Sequence, residues 1–102
     1  MSMHLNNTLV SIITISYNSE KTIARSIESV INSSYKNIEL IIIDNESSDL
    51  TLKIINDYCE KSKIIKVISE SDFGISDAFN KGLLNSNGSL IGILNSDDWY
   101  DY

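Results

Sequence analysis

The run Ile38-Glu39-Leu40-Ile41-Ile42-Ile43 constrains this chain more than any other segment. It is nearly continuous in apolar residues, with neither a polar outward side at every second position nor a helical spacing. Such a segment reads as a strand that needs cover on both faces, which is typical of a parallel sheet. Three more short, β-branched runs accompany it: Leu9-Val10-Ser11-Ile12-Ile13-Thr14-Ile15, Ile64-Ile65-Lys66-Val67-Ile68 and Leu90-Ile91-Gly92-Ile93-Leu94.

The intervening stretches have helical spacing. Residues 20–33 place Ile23, Ile27, Val30 and Ile31 on one face, with Asn18 or Ser19 as the cap. Leu50, Ile54, Ile55 and Tyr58 repeat the pattern behind Ser47 or Ser48, and Ile75, Ala78, Phe79, Gly82 and Leu83 repeat it again before an Asn87-Gly88 stop. The expected order is β-α-β-α-β-α-β. Right-handed crossovers then give an α/β fold, a Rossmann-like parallel sheet with helices on both faces.

With 102 residues, no proline and four glycines, the chain has room for one core and no evident linker. Its net charge of −6 argues against a nucleic-acid partner, which would need a basic stripe to displace counterions from phosphates. An anionic small ligand stays open, because a bound cation inverts the local field. Cys59 has no second cysteine to pair with, so a disulfide scaffold and a structural zinc site are both disfavoured. No segment reaches the ~18 apolar residues needed to span a bilayer. The start, Met-Ser-Met-His-Leu-Asn-Asn, has no basic end and no apolar stretch of the signal-peptide kind, so a cytoplasmic protein is expected.

In an open parallel sheet, ligands bind beyond the carboxyl ends of the strands, where strand order reverses. The residues after each run therefore belong to one surface: Ser16-Tyr17-Asn18, then Asp44-Asn45-Glu46-Ser47-Ser48-Asp49, then Ser69-Glu70-Ser71-Asp72-Phe73-Gly74, and finally Asn95-Ser96-Asp97-Asp98. Polar loops and helix caps account equally well for Ser47, Ser48 and Asp49. Asp97-Asp98 is less ordinary, since adjacent carboxylates repel unless they are solvated, protonated or bridged by a cation. Oxygen ligands of this kind suit Mg²⁺ or Mn²⁺ shared with a phosphate. Neither Gly-x-Gly-x-x-Gly nor a Walker-type Gly-x-x-x-x-Gly-Lys-Ser/Thr is present, so any phosphate is expected to be held through metal. The lack of acids directly after the first run disfavours a receiver-type signalling domain.

Four segments, in order, resemble the family 2 glycosyltransferases of GT-A fold. Val10-Ser11-Ile12-Ile13-Thr14-Ile15-Ser16-Tyr17-Asn18 is similar to their opening strand, and Ile41-Ile42-Ile43-Asp44-Asn45-Glu46-Ser47-Ser48-Asp49 to their Asp-Asp-Gly-Ser-Thr-Asp segment. The stretch from Asp72 to Gly82 resembles a version found in enzymes that build bacterial surface polysaccharides. The stretch from Asn87 to Asp98 resembles the strand leading into the Asp-x-Asp metal motif.

The resemblance implies sugar transfer from a nucleotide diphosphate donor, commonly UDP-linked, to an acceptor hydroxyl. It places Ser16, Tyr17 and Asn18 along the base and ribose, and has Asp44 accept a hydrogen bond from the base. Asp72, Asp77, Asn80 and Lys81 fall beside the ribose, diphosphate and donor sugar. Asn95 and Asp97 occupy the two acidic positions of Asp-x-Asp, and Asp97 ranks ahead of Asp98 as ligand of Mn²⁺ or Mg²⁺. Three residues depart from the family pattern: Asn95 replaces the first acid, Glu46 stands where glycine is common, and Phe79 stands where many members have arginine. Glu46 raises the expectation of a different turn.

An inverting transfer also needs a general base near the acceptor hydroxyl. The resemblance puts that base after the metal motif, beyond Tyr102. Residues 1–102 are accordingly expected to be the nucleotide-sugar-binding part of a longer domain, with a glycan or lipid-linked acceptor. Further parts could add peripheral membrane association, and the edge where they would dock, near Leu90–Leu94 or Trp99–Tyr102, is expected to be exposed and to invite self-association. The rival from another class is a non-catalytic nucleotide-binding or assembly module. Elsewhere plainer readings hold: His4 in a loose start, Cys59, Tyr35 and Tyr58 as packing, Lys21 and Arg25 as a solvated face. Trp99 is a sugar platform or a plug, and Tyr17 stacks on a base or packs beneath the second loop.

Overall fold

The computed structural model describes residues 8–71 and 74–96. It has four strands and three helices in strict alternation: β1 (Val10–Ser16), α1 (Ile23–Ile31), β2 (Ile38–Asp44), α2 (Thr51–Lys61), β3 (Ile65–Ser69), α3 (Ile75–Leu84) and β4 (Leu90–Ile93). All pairings are parallel and the sheet order is β3-β2-β1-β4. The expected α/β architecture is what the chain adopts.

Successive side chains of a strand point to opposite faces, and β2 is buried on both. Leu40 and Ile42 join Ile12, Ile23, Ile27, Val30, Ile55 and Ile65 beneath α1 and α2. Ile41 and Ile43 pack with Ala78 of α3 on the other side. This division follows from handedness. The chain steps from β1 through β2 to β3 in one direction, then returns past β1 to β4. Keeping the same crossover hand while reversing direction moves the covering helix to the opposite face.

All three helices differ from the sequence reading. Helix α1 begins at Ile23 rather than residue 20, and neither Asn18 nor Ser19 caps it with a side chain; the Ser19 carbonyl instead accepts from the amides of Thr22 and Ile23. In α2, Leu50 is an exposed capping residue, not part of the apolar face. Helix α3 buries only its small residues, Ala78 and Gly82, because it lies close against the sheet. Ile75, at its first turn, overhangs the strand ends and stays exposed.

That close approach has a measurable consequence. A Cβ built on Gly82 would stand 2.6 Å from Cγ2 of Ile13, which is itself fully buried. Overpacking of this kind costs about 1–3 kcal/mol, against a helix-propensity gain of about 1 kcal/mol for replacing glycine. Gly82→Ala should therefore lower stability by about 1 kcal/mol in denaturant titration.

At the amino-terminal rim, the buried Glu39 carboxylate gathers the start of the sheet. It accepts from Ser11 Oγ (2.6 Å) and the Asn87 amide (2.6 Å), and pairs with Lys66 Nζ at 3.3 Å. Gly88 donates its amide to Ser11 Oγ at 2.8 Å, so the α3–β4 connection is tied to β1 and β2. Desolvation pushes the Glu39 pKa up, but the donors from Ser11, Asn87 and Lys66 together carry it below the usual glutamate value. A carboxyl whose folded pKa is depressed stabilises above its unfolded pKa and loses that contribution as pH falls through the folded one. Glu39→Gln should thus cost about 2 kcal/mol at neutral pH. In thermal melts at stepped pH, the gap between wild type and Glu39→Gln should close as pH drops below the ordinary glutamate range.

Candidate functional site

The reversal of strand order lies between β1 and β4, and the chain opens a cleft there. Its volume is about 710 Å³, and its walls include Tyr17, Asn18 and Lys21 after β1, Asn95 and Ser96 after β4, and Ile75 of α3. Tyr17 is 59% exposed, so of its two readings the structure favours the open one over packing beneath the second loop. The side wall is closed by Ser19 and Ser96, whose hydroxyls meet at 2.7 Å, while Ser26 Oγ donates to the Ser96 carbonyl at 3.0 Å.

The first and second loops are fastened together by hydrogen bonds. Asn18, at a φ of 48°, gives its amide to Ser47 Oγ (2.9 Å) and accepts the Ser48 amide on Oδ1 (2.8 Å). Ser19 donates its amide to Thr51 Oγ1 at 2.7 Å, and Glu20 Oε1 accepts the Leu50 amide. Asp49 accepts from both the amide and hydroxyl of Thr51. Desolvation raises the Asp49 pKa, yet the Thr51 donors and the Glu20 amide hold it below the aspartate range.

Beneath these loops lie Ser16 and Asp44, which the resemblance had set against the base. In the structure both are under the surface, 1% and 0% exposed. Asp44 Oδ1 accepts from Ser16 Oγ (2.7 Å) and Ser47 Oγ (2.6 Å), while Oδ2 accepts from the Ser47 amide (2.9 Å) and Ser69 Oγ (3.2 Å). The sequence offers Ser47 only as a helix cap or polar loop residue, and Ser69 only as part of the third loop. A signal was available: each of the first three strands ends in one polar residue, and Ser16, Asp44 and Ser69 are direct register partners.

From α3, Lys81 Nζ reaches back to the third loop, pairing with Glu70 (3.1 Å) and with Asp77 of its own helix (3.3 Å) and donating to the Ser71 carbonyl (2.8 Å). Desolvation lowers its pKa, but the two carboxylates outweigh it and the net shift is upward. Asn80 is exposed on the same helix. Asp72, Asp97, Asp98 and Trp99 lie outside the described residues, as does His4. Among the described residues no group of three acidic, histidine or cysteine side chains could hold a metal. Cys59 is half-buried and desolvation raises its thiol pKa, as expected of packing.

Residues 11–102 match the family described as glycosyl transferase family 2. The chain belongs to that family. Within it, the chain is 41% identical over 92 residues to UDP-Glc:alpha-D-GlcNAc-diphosphoundecaprenol beta-1,3-glucosyltransferase WfaP of Escherichia coli, covering 90% of this chain and 36% of that one. It spans little more than a third of that relative's length. Residues 1–349 of S. aureus TarS, solved in complex with UDP, superpose with a TM-score of 0.81 at 28% identity, over 89% of this chain and 28% of that one. The mannosyltransferase PcManGT of Pyrobaculum calidifontis, solved with GDP-Man and Mn²⁺, shares the fold at a TM-score of 0.87 and 20% identity, over 93% of this chain and 29% of its own.

Glu46 departs from the family pattern at a position where backbone conformation matters. It adopts a φ of 47°, the region that favours glycine. The left-handed conformation costs a non-glycine residue about 1–2 kcal/mol, of which a glycine forfeits about 0.4–1 kcal/mol through its freer unfolded chain. Glu46→Gly should therefore raise stability by about 0.5–1 kcal/mol, read as a higher denaturation midpoint.

Proposed function

We propose that the chain is the nucleotide-sugar-binding part of a glycosyltransferase that moves a sugar from a nucleoside diphosphate donor, UDP-linked in the first instance, to an acceptor hydroxyl during cell-surface polysaccharide assembly. The observation that carries this reading is the cleft at the β1/β4 switch, open between Tyr17 and Asn95. WfaP, by its name, uses UDP-Glc and a diphosphoundecaprenol-linked acceptor, and TarS was solved with UDP. A lipid-linked glycan acceptor and a cytoplasmic, membrane-peripheral setting belong to the same proposal. Among the described residues no helix is long and apolar enough to cross a membrane.

In this reading Tyr17 offers an aromatic face to the base, and Asn18 and Asn95 offer polar edges to the ribose. Lys81 and Asp77 order the third loop next to the diphosphate, and Asp72 and Asn80 are assigned with them to the ribose, diphosphate and donor sugar. The cation, Mn²⁺ or Mg²⁺, would be held by Asp97 and Asp98 and would neutralise charge developing on the leaving diphosphate. PcManGT, of like fold, was solved with Mn²⁺. Asn95 adds no charge at its position, so the two aspartates carry the anionic ligand set. The general base and the acceptor site are assigned to the part of the relatives beyond the matched third.

One observation favours the rival, an assembly module that keeps the half-fold. Among the described residues β4 is an edge strand, and Leu90, Ile91 and Ile93 are 48%, 40% and 55% exposed. An apolar sheet edge of this kind pairs readily with other chain, including a second copy. Calorimetric titration with UDP separates the readings. Binding that requires Mn²⁺ and disappears in Asp97→Ala is the outcome expected of the transferase reading. No binding to any nucleoside diphosphate, together with concentration-dependent dimers in sedimentation, would favour the module.

A further inference from the structure

We infer that Asp44 is a positioning residue, which orders the nucleotide pocket through Ser47 and Asn18 and touches no ligand itself. This rests on the nucleotide-binding reading and narrows it.

A carboxylate has about four lone-pair positions and no proton to give when ionised. In Asp44 all four are taken by protein donors: three serine hydroxyls and one amide. The side chain is wholly buried, so the N–H of a base would have to displace one of these donors to reach it. Because the carboxylate only accepts, the Ser47 hydroxyl must point its proton at Asp44. Its lone pairs then face the other way, where the Asn18 amide donates to it at 2.9 Å. Asn18 in turn holds the Ser48 amide, and its own backbone is the wall of the cleft beside Tyr17. The polarity of this relay is set at its buried end. An amide in place of the acid keeps the shape but can donate, so the Ser47 hydroxyl loses its fixed direction.

The test compares wild type with Asp44→Asn on the 102-residue chain and has two arms. The first needs no ligand. Amide hydrogen exchange at Asn18, Ser47 and Ser48 should quicken in Asp44→Asn by about tenfold or more beyond any change at Ile41 and Ile42, which report global stability; that is the scale of one lost hydrogen bond to a charge. The second arm titrates UDP and its N3-methylated analogue, which lacks the base's donor, in the presence of Mn²⁺. A positioning role weakens both ligands by the same factor, about tenfold. A direct contact makes methylation costly for wild type and markedly less costly for Asp44→Asn.

That second pattern overturns the inference, as does unchanged exchange at the three loop amides in a folded Asp44→Asn. If Asp44→Asn does not fold, Ser47→Ala replaces it, since Ser47 carries the relay and is not among the residues of the cleft. Exchange at Asn18 and Ser48 should then quicken about threefold, and a folded Ser47→Ala without that change also overturns the inference. Should UDP fail to bind wild type, the proposed function falls while the exchange arm still decides the role of Asp44.

Discussion

The register between β1 and β2 is the constraint on which the rest of the molecule depends. It pairs Ser11 with Glu39 at one end and Ser16 with Asp44 at the other. In both pairs the serine hydroxyl donates to the acid, at 2.6 and 2.7 Å. Position parity puts the two pairs on opposite faces of the sheet, the first toward α3 and the second toward α1 and α2. A one-residue slip would leave each buried carboxylate without its serine, and a buried charge that loses its partner costs about 3–5 kcal/mol. The apolar side chains between the pairs, Leu40 to Ile43, supply the burial energy, about 1.5–3 kcal/mol each. They discriminate poorly between registers, because isoleucine follows isoleucine on both faces. The two polar pairs supply the discrimination.

From that register the site follows in steps. Four parallel strands bring their carboxyl ends to one rim, and the single reversal of direction opens the sheet between β1 and β4. The loops after β1 and β2 start from register partners, so they leave the sheet side by side and can bond to each other directly. The Ser19–Ser96 contact closes the third side. The acid at the opposite rim, Glu39, has no part in the cleft; it ties down the connection that returns the chain to β4.

The apolar runs made the strands and their order of covering legible, because burial on both faces leaves few alternatives for β2. The rim location of the site was legible for the same reason. Helix starts were not. Asn18, Ser47 and Ser48 have the chemistry of local caps, and sequence alone offers them a partner two or three residues on. In the folded chain they are spent on one another across about 30 positions, Asn18 with Ser47 and Ser48. A short polar side chain takes whichever donor or acceptor the fold brings near, and that choice is made by tertiary contact. The burial of Asp44 escaped detection for a related reason. An acid after a strand reads as exposed unless its neighbours in the adjacent strands, Ser16 and Ser69, are known to stand level with it.

This arrangement also bears on how the cleft can discriminate. Its loops are held by bonds among protein groups, so little ordering cost is left to be met when a ligand enters. The same bonds consume acceptors: Asp44, Asp49 and the Asn18 side-chain oxygen all have protein donors already. Facing the cleft beside them are an aromatic ring, Tyr17, an apolar side chain, Ile75, and the polar side chains of Lys21 and Asn95. The ring and the apolar side chain grip a flat or apolar body by contact area and read its hydrogen-bonding edges weakly. Under the proposed function, selection among bases then falls to the polar side chains and to the backbone groups that the pinned loops hold in place.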